Sequence, residues 1–256
     1  MHYPRATSTL EPIMTSVSTP APAEAKASIW EDFLDIFYEP AQVFARRMDG
    51  KFGLALLVLV ILSAALMYAS MQALEPAYTG ELERGMAAAA EQNPNMTAEQ
   101  LEAGRGIGRI MMMVTGLVMV PIIVLLTGIA LWLVGKLFDS TQTLAQGIMV
   151  ATYANFPRFV LGSLLMTLQG FLLDLSSADR LYDVTLSAAR FAPEGSSELT
   201  LALLSRLDVF VIWATILLGI GLHITGKIPK GKAMMAAVIV WVIGSLPVVL
   251  GALRGS

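Results

Sequence analysis

Few residues in this sequence could do chemistry, and the best group stands around one proline. Tyr153-Ala154-Asn155-Phe156-Pro157-Arg158 sets a phenol, an amide and a guanidinium inside an otherwise apolar block. Pro157 takes one amide out of a helix ladder and clashes with the carbonyl four residues back, at Tyr153. Asn155 and Arg158 are costly in hydrocarbon. Two readings follow. A broken helix here would line a polar cavity or a partner contact. More plainly, a helix would start near Phe159, with the preceding residues at the membrane interface, because Phe159 to Leu175 is just long enough to span.

The other candidates are weaker. His223 shares a helix face with Thr215 and Gly219, a spacing that lets helices approach, and a packed histidine is the plain reading. Met111-Met112-Met113 cannot converge on a soft metal, because consecutive helical residues point in different directions. Asn95-Met96-Thr97 matches a glycosylation sequon, a short pattern that arises often by chance. Pro121 and Pro247 read as ordinary kinks. The chain has no cysteine, and its two histidines, His2 and His223, lie far apart. It contains no GxSxG, HExxH, paired intramembrane aspartates or phosphate loop. No catalytic residue, cofactor or metal is expected. A net charge of −3 argues against nucleic acid as a partner.

Charged residues make up only 14% of the chain and hydrophobic ones 55%. A soluble domain carries about 25% charged residues. The apolar residues form five blocks, at about 53–74, 111–135, 150–173, 208–225 and 233–253. Each is near the roughly 20 helical residues that cross a bilayer core. Backbone groups in lipid must pair within their own segment, so helices are forced. The expected fold is all-α: a polytopic helical bundle with five transmembrane helices, whose first partner is the lipid bilayer. No cleavable signal peptide is expected, and the first block should serve as an uncleaved anchor.

Around the blocks, residues 1–28 read as a disordered tail, rich in Ser, Thr, Pro and Ala. Residues 29–49 read as amphipathic juxtamembrane helices, the first capped by Ser28. Its apolar side is Ile29, Phe33 and Phe37, flanked by Trp30 and Leu34. Glu31, Asp32 and Asp35 are placed opposite. The membrane domain covers 50–256. Its long polar link at 75–109 holds a helix to Gln92, a break at 93–95 and a short helix ending near Gly104. A second long link holds a surface helix near 178–191. Basic residues cluster at Arg46, Arg47 and Lys51, at Lys136, and at Lys227, Lys230 and Lys232. The positive-inside rule puts these, and the N-terminus, in the cytoplasm, with the C-terminus outside.

This order of parts resembles the Yip family, membrane proteins named for interaction with Ypt/Rab GTPases, which also has bacterial relatives. The resemblance covers about 30–253. It is carried by Glu39-Pro40-Ala41-Gln42-Val43-Phe44 before the first span and by the aromatic-then-proline motif from Tyr153 to Pro157. With the polar break around Pro157, these motifs single out Pro40, Phe44, Tyr153, Asn155, Pro157 and Arg158 as candidate structural or functional residues. Where eukaryotic members carry an acidic-Leu-Tyr-Gly-Pro type of signature, this chain reads Asp35-Ile36-Phe37-Tyr38-Glu39-Pro40, like a bacterial member. The resemblance implies five helices, a cytoplasmic N-terminus and, in eukaryotic members, roles in vesicle budding and membrane organisation through protein partners. The reading here is a non-enzymatic scaffold in the bacterial cytoplasmic membrane, with a membrane or cytoplasmic protein as partner and a homo-oligomer compatible with it. The alternative is a small transporter or channel component using the polar break around Pro157.

Overall fold

A computed structural model describes residues 28–95, 97–173 and 180–255. The expected tail, except Ser28, and the centre of the sequon lie outside these. Ten α-helices carry the described chain, with no strand among the described residues: α1 Ile29–Asp35, α2 Pro40–Arg46, α3 Gly53–Ala73, α4 Glu75–Gln92, α5 Ala98–Lys136, α6 Leu144–Ala154, α7 Ser163–Leu172, α8 Glu198–Ser205, α9 Val209–Gly226 and α10 Lys230–Gly255. Five segments are long and apolar enough to span: Gly53–Ala73, Glu102–Lys136, Leu144–Leu172, Val209–Gly226 and Lys230–Leu253. The all-α five-span fold stands.

The axis of the bundle is α6. Every residue from Gly147 to Ala154 is buried. It packs against α5 and α9, while α3 packs on α7 and α9 on α10. Small residues make the closest approach. A Cβ at Gly128 of α5 would stand 2.6 Å from the Ile148 Cα, and one at Gly147 would stand 2.7 Å from the Gly128 carbonyl oxygen. Without a hydrophobic force between helices in lipid, such backbone contact is what supplies packing energy. Gly219 lies against Met234, so the Thr215–Gly219–His223 face is a helix contact. His223 itself closes the α9 end, its Nδ1 donating to the Ile228 carbonyl at 2.6 Å. Ser70 of α3 and Thr167 of α7 share a buried hydroxyl bond of 2.7 Å.

One end of the bundle gathers the short basic loops. Gln146 Nε2 donates to the Met48 carbonyl at 2.8 Å, Thr141 N donates to the Gly226 carbonyl at 3.0 Å, and Lys232 pairs with Asp139 at 3.6 Å. Gln142 is fully buried there and donates to Thr225 at 2.6 Å.

Three expected boundaries are corrected. The second span is one 39-residue helix from Ala98 to Lys136, without the separate short helix ending at Gly104. The helix runs on through Gly104 and Gly108, which receive α4: Met86 packs over Gly104 and Leu82 over Gly108. The third span starts at Leu144 and not at 150 or Phe159, because Thr143 and Gln146 form a capping box. Of the surface helix expected near 178–191, the described residues 180–191 hold no α-helix. Residues 174–179 lie outside the described set, Leu181–Val184 and Ala188–Phe191 are 3₁₀ turns, and the helix of this link is α8.

Candidate functional site

α1 and α2 form a hairpin docked on the bundle. The capping box at its start is complete: Glu31 N donates to Ser28 Oγ, and Ser28 N donates to the Glu31 carboxylate at 2.6 Å. Pro40 opens α2 at its first turn, where its missing amide costs nothing. Phe44 and Val43 are fully buried beneath it. The buried stripe of α1 is Asp32, Phe33 and Ile36, with Ile29 and Phe37 packed beside it.

Two expectations about α1 are therefore corrected. Asp32 belongs to the buried stripe and not to an acidic outer face, since its side chain is 0% exposed. Trp30 faces outward at 59% exposure, with Leu34 and Tyr38. Phe33 stacks on Phe156, ring centroids 4.2 Å apart, and also meets Tyr153 at 5.3 Å. Phe37 meets Trp213 of α9 edge-on at 5.4 Å.

A carboxylate out of water is stable only when ion-paired and hydrogen-bonded. Asp32 has both. Arg46 Nη2 reaches its Oδ1 at 2.9 Å, Arg47 reaches its Oδ2 at 2.5 Å, and the Tyr153 hydroxyl donates to Oδ2 at 3.4 Å. Arg46 also pairs with Asp35 at 2.6 Å. The hydrogen bond that Arg46 donates to Asp35, opposed by burial and aided by Asp32, holds the Arg46 guanidinium above its ordinary range. This ion cluster fastens α1 to α2 and both to α6.

Around Pro157 the helix is neither straight nor newly started. α6 ends at Ala154, Asn155 turns, and Pro157–Gly162 winds as a π-helix into α7. A π segment is a usual answer to a residue that cannot donate, and it re-aims the side chains beyond it. Asn155 is buried and turned onto its own helix, its Nδ2 donating to the Ala151 carbonyl at 2.9 Å. Arg158 points the other way. It lines a cavity of about 390 Å³ bounded also by Gly162, Tyr182, Ser187, Arg206 and Asp208.

Asp208 caps α9: its Oδ1 accepts from the amides of Phe210 and Val211 at 2.8 and 3.2 Å. Arg206 Nε donates to Ser245 Oγ of α10 at 2.9 Å. Burial lowers the Arg206 guanidinium from its ordinary value, with Asp208 opposing.

The six residues singled out in the sequence thus divide. Tyr153, Phe44 and Pro40 belong to the docked hairpin and its receptor face; Asn155 and Pro157 make the break; Arg158 belongs to the cavity. Asp32, Arg46 and Arg47 as a cluster, and Arg206 and Asp208 as cavity residues, were not foreseen. Among the described residues no group of three His, Asp or Glu could hold a metal ion.

Five apolar spans, four of them about a buried central one, define a polytopic, all-helical integral membrane protein. A family model described as the Yip1 domain matches residues 34–251, and the chain belongs to that family. No curated protein and no solved structure matches it.

Proposed function

We propose that this is a non-enzymatic, membrane-organising scaffold that acts through a protein partner. The observation that supports it most is the ion cluster at Asp32. A buried salt bridge is weak evidence for stability but fits a role in fixing one arrangement. Here it would hold the hairpin, and the residues 1–28 that precede it, at a defined place on the bundle, as a presenting arm requires. The tail, the juxtamembrane hairpin and the membrane domain at 50–256 are taken as three working parts. The partner is a membrane or cytoplasmic protein, or a second copy of the chain.

The alternative, a small transporter or channel component, draws on Arg158 facing a cavity. Asn155, bonded to its own helix, argues against a continuous polar path. The two readings separate by experiment. Protein purified in mild detergent should bring down a stoichiometric partner, and the same protein in sealed vesicles should carry no solute flux above empty vesicles. Flux without a partner would reverse the choice.

The proposed setting is the bacterial cytoplasmic membrane, N-terminus inside. Lys51, Lys136, Lys227, Lys230 and Lys232 supply the positive-inside signal. The chain is free of cysteine, so single probes are clean. Asn95→Cys should react with an impermeant thiol reagent in intact cells, and Lys230→Cys should react only after lysis. The opposite pattern would invert the topology. The outward stripe Trp30, Leu34 and Tyr38 should lie in the interfacial zone, where aromatic side chains settle. With Trp132, Trp213 and Trp241 replaced by Phe, brominated lipid should quench Trp30. Full access to an aqueous quencher alone would place α1 off the membrane.

A further inference from the structure

The cavity at Arg158 lies in the wrong place for idle charge. Gly162 packs against Phe210, one residue into α9, so the cavity is level with the start of α9. From there α7 continues for ten residues, roughly 15 Å of helix. The α8–α9 corner, where Ser187 bridges Asp208, therefore sits below the end of α7, while the turn at Val184 lies level with Gln169 near that end. Non-helical backbone at such depth is tolerated where it is buried in protein or lines a polar cavity. Tyr182 and Ser187 come from this backbone and line the cavity.

Its charges do not cancel among themselves. No ion pair or hydrogen bond involves the Arg158 guanidinium among the described residues; it stands over the face of its neighbour Phe159, 5.2 Å to the ring centroid. Among the described residues the Arg206 guanidinium bonds a serine hydroxyl and no carboxylate. Asp208 lines the same cavity, but its Oδ1 is given to the amides that open α9, where a helix end already favours negative charge. Among the described lining residues, two guanidiniums and one carboxylate leave a net +1. Guanidinium forks match phosphate oxygens in both geometry and charge. Phe159, Met166, Phe210 and Val248 give the cavity one apolar side, and the hydroxyls of Ser163, Thr185 and Ser205 line it as well.

We propose that this cavity binds a phosphodiester headgroup of a membrane lipid, with Arg158 and Arg206 on the phosphate and the apolar wall on the first carbons of the acyl chains. A singly charged phosphodiester balances the site's net charge. A soluble phosphate offers the same oxygens but leaves the apolar wall uncovered, so lipid is the expected source. The inference stands apart from the scaffold reading: either can fail alone.

The test uses full-length protein, delipidated by detergent exchange and titrated with phosphatidylglycerol, phosphatidylcholine or inorganic phosphate. Bound molecules are counted by native mass spectrometry and melting is followed in parallel. Phosphatidylglycerol should bind with one preferred stoichiometric copy and raise the melting temperature. Phosphatidylcholine, which brings a cation toward two arginines, should bind about tenfold more weakly or worse. Arg158→Gln and Arg206→Gln should each weaken phosphatidylglycerol by about tenfold or more. Arg158→Lys should fall between, and Arg105→Gln should change nothing.

An equal response to inorganic phosphate would keep the phosphate site and assign it a soluble ligand. Should an arginine variant fail to fold, wild-type protein answers the question through a photoactivatable phosphatidylglycerol, whose adducts should fall on 158–166 and 205–211. Wild-type affinity in a folded Arg158→Gln protein, or adducts spread evenly over the lipid-facing helices, would overturn the proposal.

Discussion

Replacing Arg46 and Arg47 together by leucine should destabilise the protein by about 3–5 kcal/mol, the cost of leaving a buried carboxylate without its counter-charges. Asp32 has no exposed side-chain surface, and the Tyr153 hydroxyl at 3.4 Å is all that would remain to it. Arg47 should matter more than Arg46, whose side chain is 33% exposed against 19%. The informative variant adds Asp32→Asn to the two leucines. It removes the charge and keeps the shape, so most of the lost stability should return. Denaturant titration in mixed micelles gives the energies, and hydrogen exchange over 29–48 locates them. A triple variant no more stable than the double would mean that the carboxylate is not what the arginines neutralise.

The second large effect is expected at the centre of the bundle. Gly128→Leu should cost about 1–3 kcal/mol or more, because the added carbon meets backbone and cannot be relieved by a rotamer change. Its Cβ would lie 2.6 Å from Ile148 Cα and 2.8 Å from Ile148 N. Gly147→Leu should act on the same contact, from the other side. The two together should therefore cost clearly less than their sum, as for any pair sharing one contact. Gly85→Leu, with open space around its Cβ position, is the control and should be tolerated. Additive losses from Gly128 and Gly147 would show that α5 and α6 do not meet there.

The spans were legible because lipid leaves a sequence little choice: a run of some twenty apolar residues must be a helix. Their ends were less so. Gln146 and Gly147 make the start of α6 look like a loop, yet the buried face of a central helix in a bundle accepts small and amide side chains. A short helix ending near Gly104 was expected, yet Met86 of α4 fills the space at Gly104 and Leu82 that at Gly108, and only tertiary packing reveals that.

The candidate site was legible in half. A proline between an amide and a guanidinium signals a break, and a break is there. Which way Arg158 points depends on the π turn, which no local pattern encodes. Asp32 was misplaced for a plainer reason. Ile29, Asp32, Phe33 and Ile36 follow helical spacing, but an acid within an apolar stripe is ordinarily assigned to water. The paired arginines at Arg46 and Arg47, one helix later, were the clue that it was not.

That the docked hairpin exists to hold a partner is tested most directly by a photo-crosslinking amino acid in place of Tyr38, which is 82% exposed at the hairpin's tip. In growing cells it should yield one discrete protein adduct of defined mass, and the adduct should vanish when Arg46 and Arg47 are both leucine while the protein remains in the membrane. Adducts with lipid alone, or a protein adduct indifferent to those arginines, would contradict it.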